Sequence, residues 1–222
     1  MFLSELFQPT IVEGRNDPGI FKAIFMAGPP GAGKNTVIQK LGLNAAGLKL
    51  QDVDQTLAYL QKVRPEKANY NASLDTTKRR QSVYQQGGLG LIINTTGRDL
   101  PSLTMLNKKL EAAGYDTFMI FVDTRYEVAQ HRIAHREKTA TDPRDAGREV
   151  TPEYFDDAYD NARYNMPEYE NMFGDDFALI INNIPLREDM SDEEYDFKKT
   201  MQIAAKKLTK FLRKPASANL VR

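Results

Sequence analysis

Nine consecutive residues, Gly28-Pro29-Pro30-Gly31-Ala32-Gly33-Lys34-Asn35-Thr36, combine the residue types that a polyphosphate requires. Glycines permit a tight turn and let backbone N–H groups point inward at phosphate oxygens. A lysine at the end of such a turn reaches the β- and γ-phosphates and follows their charge as a phosphoryl group moves. The candidate nucleotide-binding set is therefore Gly28, Gly31, Ala32, Gly33, Lys34, Asn35 and Thr36. The strict pattern places Ser or Thr directly after the lysine, where its hydroxyl binds magnesium. Here Asn35 stands at that position, with Thr36 behind it. Magnesium is then expected to be held by phosphate oxygens, waters and a carboxylate, with Asn35 and Asp54 as candidate ligands through water.

Two further constellations offer chemistry. Residues two apart on a strand share a face, so a strand running out into Gln51-Asp52-Val53-Asp54 aims both carboxylates at one cleft. One could accept a hydroxyl proton while the other orients metal-bound water. The competing reading makes Asp54 the cap of a helix that begins at Gln55, which accounts for one acid but not for the pair. In Asn94-Thr95-Thr96-Gly97-Arg98, the guanidinium of Arg98 is suited to an anionic group in the cleft. It could equally pair with Asp99 or another carboxylate on the surface.

The segment from His131 to Arg148 carries Arg132, Arg136, Arg144 and Arg148 with a proline and a glycine, as a lid would. Lid arginines would neutralise a transferring phosphoryl group and exclude water. Against this, Glu137, Asp142, Asp145 and Glu149 nearly balance the charge, as at a solvated helix end. His131 and His135 have the spacing of zinc ligands, but no third ligand is evident nearby.

These groups need a frame to bring them together. Short unbroken apolar runs at 21–27, 48–50, 89–93, 117–122 and 177–181 suit strands buried on both faces. Helical patterns at 36–40, 55–62, 76–85, 102–113 and 125–136 lie between them. Such alternation predicts an α/β fold with a doubly wound, mostly parallel five-stranded sheet and helices on both faces. The predicted organisation is an N-terminal extension over 1–20, one P-loop NTPase domain over 21–190 with an arginine-bearing lid near 136–150, and a C-terminal helix and tail over 191–222. In that last helix Phe197, Met201, Ala204, Leu208 and Leu212 form an apolar stripe. Its other face is basic, suited to solvent or to a polyanion.

With 41% apolar and 27% charged residues and a formal net charge of zero, no bulk field draws the molecule to nucleic acid or membrane. No apolar run approaches the roughly 20 residues that span a bilayer. The chain has no cysteine, which excludes disulfides, iron–sulfur clusters and thiolate zinc sites, and fits a cytoplasmic location.

The order of these motifs resembles the zeta-toxin branch of P-loop kinases from about Phe21 to Asn183, with a looser similarity to polynucleotide 5′-kinases. The spacing of Lys34 and Thr36 also resembles the adenylate-kinase loop. The zeta-toxin resemblance implies Asp54 as general base, Lys34 as the phosphate-loop lysine, and Arg136 and Arg148 as lid arginines facing the γ-phosphate. It implies Thr96 and Arg98 at the acceptor; Asp52, the first acid of the pair, and Arg79 on the preceding basic helix are further acceptor-binding candidates read from this sequence. In zeta toxins that acceptor is a hydroxyl of a UDP-amino sugar, and an antitoxin-type partner is possible. This chain departs at Asn94, where the family commonly has an acid, and at Lys78-Arg79-Arg80, where the preceding helix commonly offers a carboxylate. A basic helix there favours a more heavily phosphorylated acceptor, a nucleotide or a nucleic-acid 5′ end. ATP or another nucleoside triphosphate with magnesium would be the donor. The alternatives are a nucleoside monophosphate kinase and a degenerate protein that binds nucleotide without turnover.

Overall fold

In the computed structural model, residues 19–139, 150–184 and 192–216 are described. Five strands form one sheet: β1 (Lys22–Ala27), β2 (Lys49–Gln51), β3 (Leu91–Asn94), β4 (Asp116–Asp123) and β5 (Phe177–Ile181). Their order is β2-β3-β1-β4-β5, and all four neighbouring pairs are parallel. The five apolar runs are therefore the five strands. The central strand β1 is buried at every position and alternates between two cores. Ile24 and Met26 join one core with Ile92, Phe118, Ile120 and Ile180. Ala23, Phe25 and Ala27 face the other, with Leu91, Ile93, Met119 and Phe121. This period of two on a strand buried from both sides is what parallel sheets require.

Seven α-helices are described: α1 (Lys34–Lys40), α2 (Val53–Val63), α3 (Tyr70–Gln86), α4 (Leu100–Ala112), α5 (Tyr126–Thr139), α6 (Pro152–Phe173) and α7 (Asp192–Arg213). Helix α1 and the stripe of α7 cover the first core, through Val37, Ile38, Phe197, Ala204, Leu208, Phe211 and Leu212. Helices α4 and α6 cover the second, through Leu103, Leu110, Ala162, Tyr169 and Phe173. Part of the basic face of α7 has structural work. Lys207 donates to the Phe177 carbonyl at 2.9 Å, and Lys214, just past the helix end, pairs with Asp176 at 3.5 Å.

Two helices differ from the sequence reading. Helix α3 begins at Tyr70, with Asn69 as its cap, rather than at 76. Its buried positions are Ser73 and Thr77, so its first turns carry no apolar stripe for a pattern to find. Thr77 Oγ1 donates instead to Thr56 Oγ1 of α2 at 2.8 Å. Helix α6, 22 residues long, has no counterpart among the helical patterns named above. Its signals were present: Thr151 caps it, Pro152 opens it, and Phe155, Ala158, Tyr159, Ala162, Tyr169 and Phe173 are buried at helical spacing. Pro167 inside the helix obscures them, because proline normally argues for a boundary.

At the start of the sheet, Lys22 is 1% exposed and pairs with Asp116 across β1 and β4, under the ring of Phe211 at 4.8 Å. Removing one partner leaves a buried ammonium uncompensated. Asp116→Ala is expected to destabilise the protein by about 3 kcal/mol in urea unfolding, with nucleotide binding retained at temperatures where the fold persists.

Candidate active site

The phosphate loop leaves the C-terminal end of β1 at the middle of the sheet, where the strand order reverses and α/β proteins open a crevice. Its glycines are required by contact as well as by conformation. Gly28, Gly31 and Gly33 have φ of 141°, 76° and 87°. A Cβ on Gly28 would lie 2.2 Å from the Val122 carbonyl oxygen, and one on Gly31 would lie 2.5 Å from that of Ala129. Lys34 Nζ donates to the carbonyls of Gly28 at 2.7 Å and Pro29 at 3.1 Å, so its ammonium is folded over the loop.

Beside the loop lies a cleft with a volume of about 750 Å³. Lys34, Asn35, Asp52, Asp54, Thr96 and Arg136 all line it. They come from four separate parts of the chain, delivered by β1, β2, β3 and α5 to one edge of the sheet. Arg148 and Arg144 lie outside the described residues. Gly28 and Ala32 are buried under the loop, whereas Thr36 is exposed on α1 and does not line the cleft.

The pair of acids is built differently from the strand-parity expectation. Strand β2 ends at Gln51, and Asp52 is the residue that caps α2. Its Oδ1 accepts from the N–H groups of Asp54 at 2.9 Å and Gln55 at 3.1 Å. Its Oδ2 accepts from Asn94 Nδ2 at 2.7 Å. Asp52 is 4% exposed, and both of its carboxylate oxygens accept hydrogen bonds from the protein at the wall of the cleft. Capping thus falls to the first acid, and Asp54 sits in the first turn of α2 facing the cleft. Asn94 also lies 3.4 Å from Asn35 Oδ1, linking the strand-three position to the loop. An aspartate at 94 would face the carboxylate of Asp52 with a second negative charge, which gives a physical reason for the amide there.

Arg79 and Arg98 do not line this cleft. Arg79 is exposed on α3, while its neighbour Arg80 turns inward to Thr56 at 3.3 Å. Arg98 pairs with Asp157 of α6 at 2.9 Å, not with Asp99, and stacks 5.1 Å from the ring of Tyr154, which does line the cleft. Asp99 instead caps α4, its carboxyl held below the usual range chiefly by the Ser102 hydroxyl. Helix α6 clamps the turn that presents Thr96. Tyr169 Oη donates to the Gly97 carbonyl at 2.8 Å, and Asn165 Nδ2 donates to those of Gly97 at 3.2 Å and Arg98 at 2.8 Å. Burial pushes the Tyr169 hydroxyl up to about 12, which keeps it a donor.

The sequence reading did not single out Asn182, Tyr70 or Tyr154, and it placed Arg132 only within the lid segment; all but Asn182 line the cleft. Asn182, the residue after β5, has no local pattern that could have marked it. Among the described residues, no three or more His, Asp or Glu side chains gather to hold a metal ion, His131 and His135 included. No helix there is long and apolar enough to cross a membrane.

The family model described as zeta toxin matches residues 13–189, most of the chain. The protein belongs to the zeta-toxin family. This zeta-toxin-family chain has no match among curated protein sequences. Solved structures resemble it throughout. The PezAT chromosomal toxin–antitoxin system of Streptococcus pneumoniae aligns at 16% identity with a TM-score of 0.55, over 96% of this chain and 95% of that one. The AvrRxo1-ORF1:-ORF2 complex with ATP aligns at 14% identity with a TM-score of 0.62, over 96% and 83%. The native form of that complex gives 10% and 0.61, over 90% and 77%. At these identities the likeness establishes the fold: a P-loop kinase-like α/β domain.

Proposed function

We propose that this zeta-toxin-family protein is an ATP-dependent kinase that transfers the γ-phosphoryl group to a hydroxyl of a nucleotide-like, sugar-nucleotide or nucleic-acid acceptor. The observation that carries this reading is the convergence of Lys34, Asp54, Arg136 and Thr96 on one cleft at the sheet's carboxyl edge. Lys34 exchanges its loop carbonyls for phosphate oxygens and follows the moving charge. Asp54 accepts the proton of the attacking hydroxyl. Arg136, with Arg148 proposed beside it, offsets charge on the phosphoryl group. Thr96 orients the acceptor from the turn clamped by α6.

The residues present also fit a magnesium ion with its hard oxygen preference. Asp54 offers a carboxylate, Asn35 an amide oxygen, and Asn94 Oδ1 is buried in the cleft wall with no hydrogen-bond partner. Asp54 and Asn35 would hold the ion through water. Held there, the ion would offset negative charge on the phosphates. The ATP in the AvrRxo1 complex supports the choice of donor.

The test is transfer of label from γ-labelled ATP with magnesium to UDP-sugars, nucleoside monophosphates and 5′-hydroxyl oligonucleotides. Label on a hydroxyl of one acceptor class supports the proposal and names the substrate. Label on the phosphate of a nucleoside monophosphate replaces it with a monophosphate kinase. Tight ATP binding without transfer to any of them overturns it in favour of a binding protein.

A further inference from the structure

Two side chains hold the phosphate loop from behind. Arg132 of α5 lines the cleft, and its Nη1 donates to the Gly31 carbonyl at 3.1 Å. Its Nη2 reaches the Asn182 carbonyl at 3.2 Å, Asn182 Oδ1 at 3.1 Å and the Ile184 carbonyl at 2.5 Å. Asn182 is 5% exposed, and its Nδ2 donates to the Ala32 carbonyl at 2.7 Å. Asn182 crowds the loop's third glycine, where a Cβ on Gly33 would lie 2.4 Å from Asn182 Nδ2, with Arg132 Nη1 at ordinary contact distance, 3.7 Å. Residues from β5's exit and from α5 thus meet on adjacent peptides of the loop.

Every one of these acceptors is a neutral amide oxygen, so the contacts orient the guanidinium without cancelling its charge. Burial draws the Arg132 pKa below its ordinary value, as expected for a cation held away from water. Geometry adds a second consequence. In a trans peptide the C=O and the following N–H point in opposite directions. Anchoring the Ala32 carbonyl to Asn182 therefore turns the Gly33 N–H away from Asn182. Finally, Asn35 replaces the hydroxyl residue that would bring a metal ion to the loop, which leaves more of a polyphosphate's charge to protein cations.

We propose that Arg132, braced by Asn182, sets nucleotide affinity: together they fix the curvature of the phosphate loop, and Arg132 supplies positive charge that holds a nucleoside di- or triphosphate there. This rests on the phosphotransferase reading above. Because Arg132 contacts the loop rather than the reacting oxygens, it stabilises bound nucleotide before and during transfer alike. Its loss falls on the KM for ATP more than on kcat.

The experiment is calorimetric titration of the full chain with MgATP, at several salt concentrations, for wild type, R132Q, R132K and N182A, with melting curves and steady-state kinetics in parallel. R132Q is expected to weaken MgATP binding by about 10- to 100-fold and to flatten the dependence of log Kd on log salt. R132K keeps the charge and loses the fork, so it is expected to weaken binding less and to retain the salt slope. N182A is expected to weaken binding with the salt slope unchanged. Wild-type affinity in R132Q, an unchanged salt slope in it, or a loss confined to kcat overturns the proposal. If R132Q does not fold, wild-type affinity in both R132K and N182A overturns it. Wild-type protein that binds MgATP and transfers phosphate to no acceptor removes the kinase reading alone, and the affinity comparison still decides the role of Arg132. Wild-type protein that binds no nucleotide overturns both.

Discussion

Lys34→Ala protein is expected to lose phosphate transfer by a factor of about 10³ or more, measured as single-turnover release of label from γ-labelled ATP. The lysine is the one loop side chain able to move with the charge of the transferring group, and its ammonium is already placed at the loop, 2.7 Å from the Gly28 carbonyl. Its removal deletes two hydrogen bonds to the Gly28 and Pro29 carbonyls. Their loss weakens the fold by about 1–3 kcal/mol, so a folded but inactive protein is the expected product. Turnover near the wild-type rate would remove the central claim about this site.

Asp54→Asn is expected to lower kcat by about 10²- to 10⁴-fold while leaving the Kd for MgATP within a few-fold. The amide keeps the shape of the side chain and cannot accept the hydroxyl proton. The contrast with Asp52 makes this informative. Asp52→Asn places an NH2 group against either the helix N–H donors or the Asn94 amide, both of which now donate to the carboxylate. Its loss should be read as about 1 kcal/mol of stability from a missing cap, in chemical unfolding. If instead Asp52→Asn abolished turnover in a stable protein and Asp54→Asn did not, the roles of the two acids would be exchanged.

Four of the strands were legible in the sequence because each is an apolar run short enough to be a strand and largely buried, whereas the edge strand β2, with Lys49 exposed, was marked only by Leu48 and Leu50. The phosphate loop was legible because its chemistry is local: glycine, lysine and helix must be consecutive for backbone donors to surround one anion. The same locality made Asp54 and Arg136 visible as candidates, since each belongs to a motif read along a few residues. Helix α6 escaped because Pro167 interrupts its pattern, and the start of α3 escaped because Ser73 and Thr77 pack through hydroxyls.

What the chain order alone determined about this protein is its α/β class, the position of the phosphate loop after the first strand, and the identity of the charged groups near it. The tertiary structure decided which of those groups meet. It turned Asp52 inward onto Asn94, 42 residues away, and sent Arg98 to Asp157, 59 residues away. It also brought Asn182 onto the loop at Ala32, 150 residues distant. Parallel strands bring the ends of remote segments to one edge of the sheet, and hydrogen bonds between side chains from different strands leave no periodicity in the sequence that joins them.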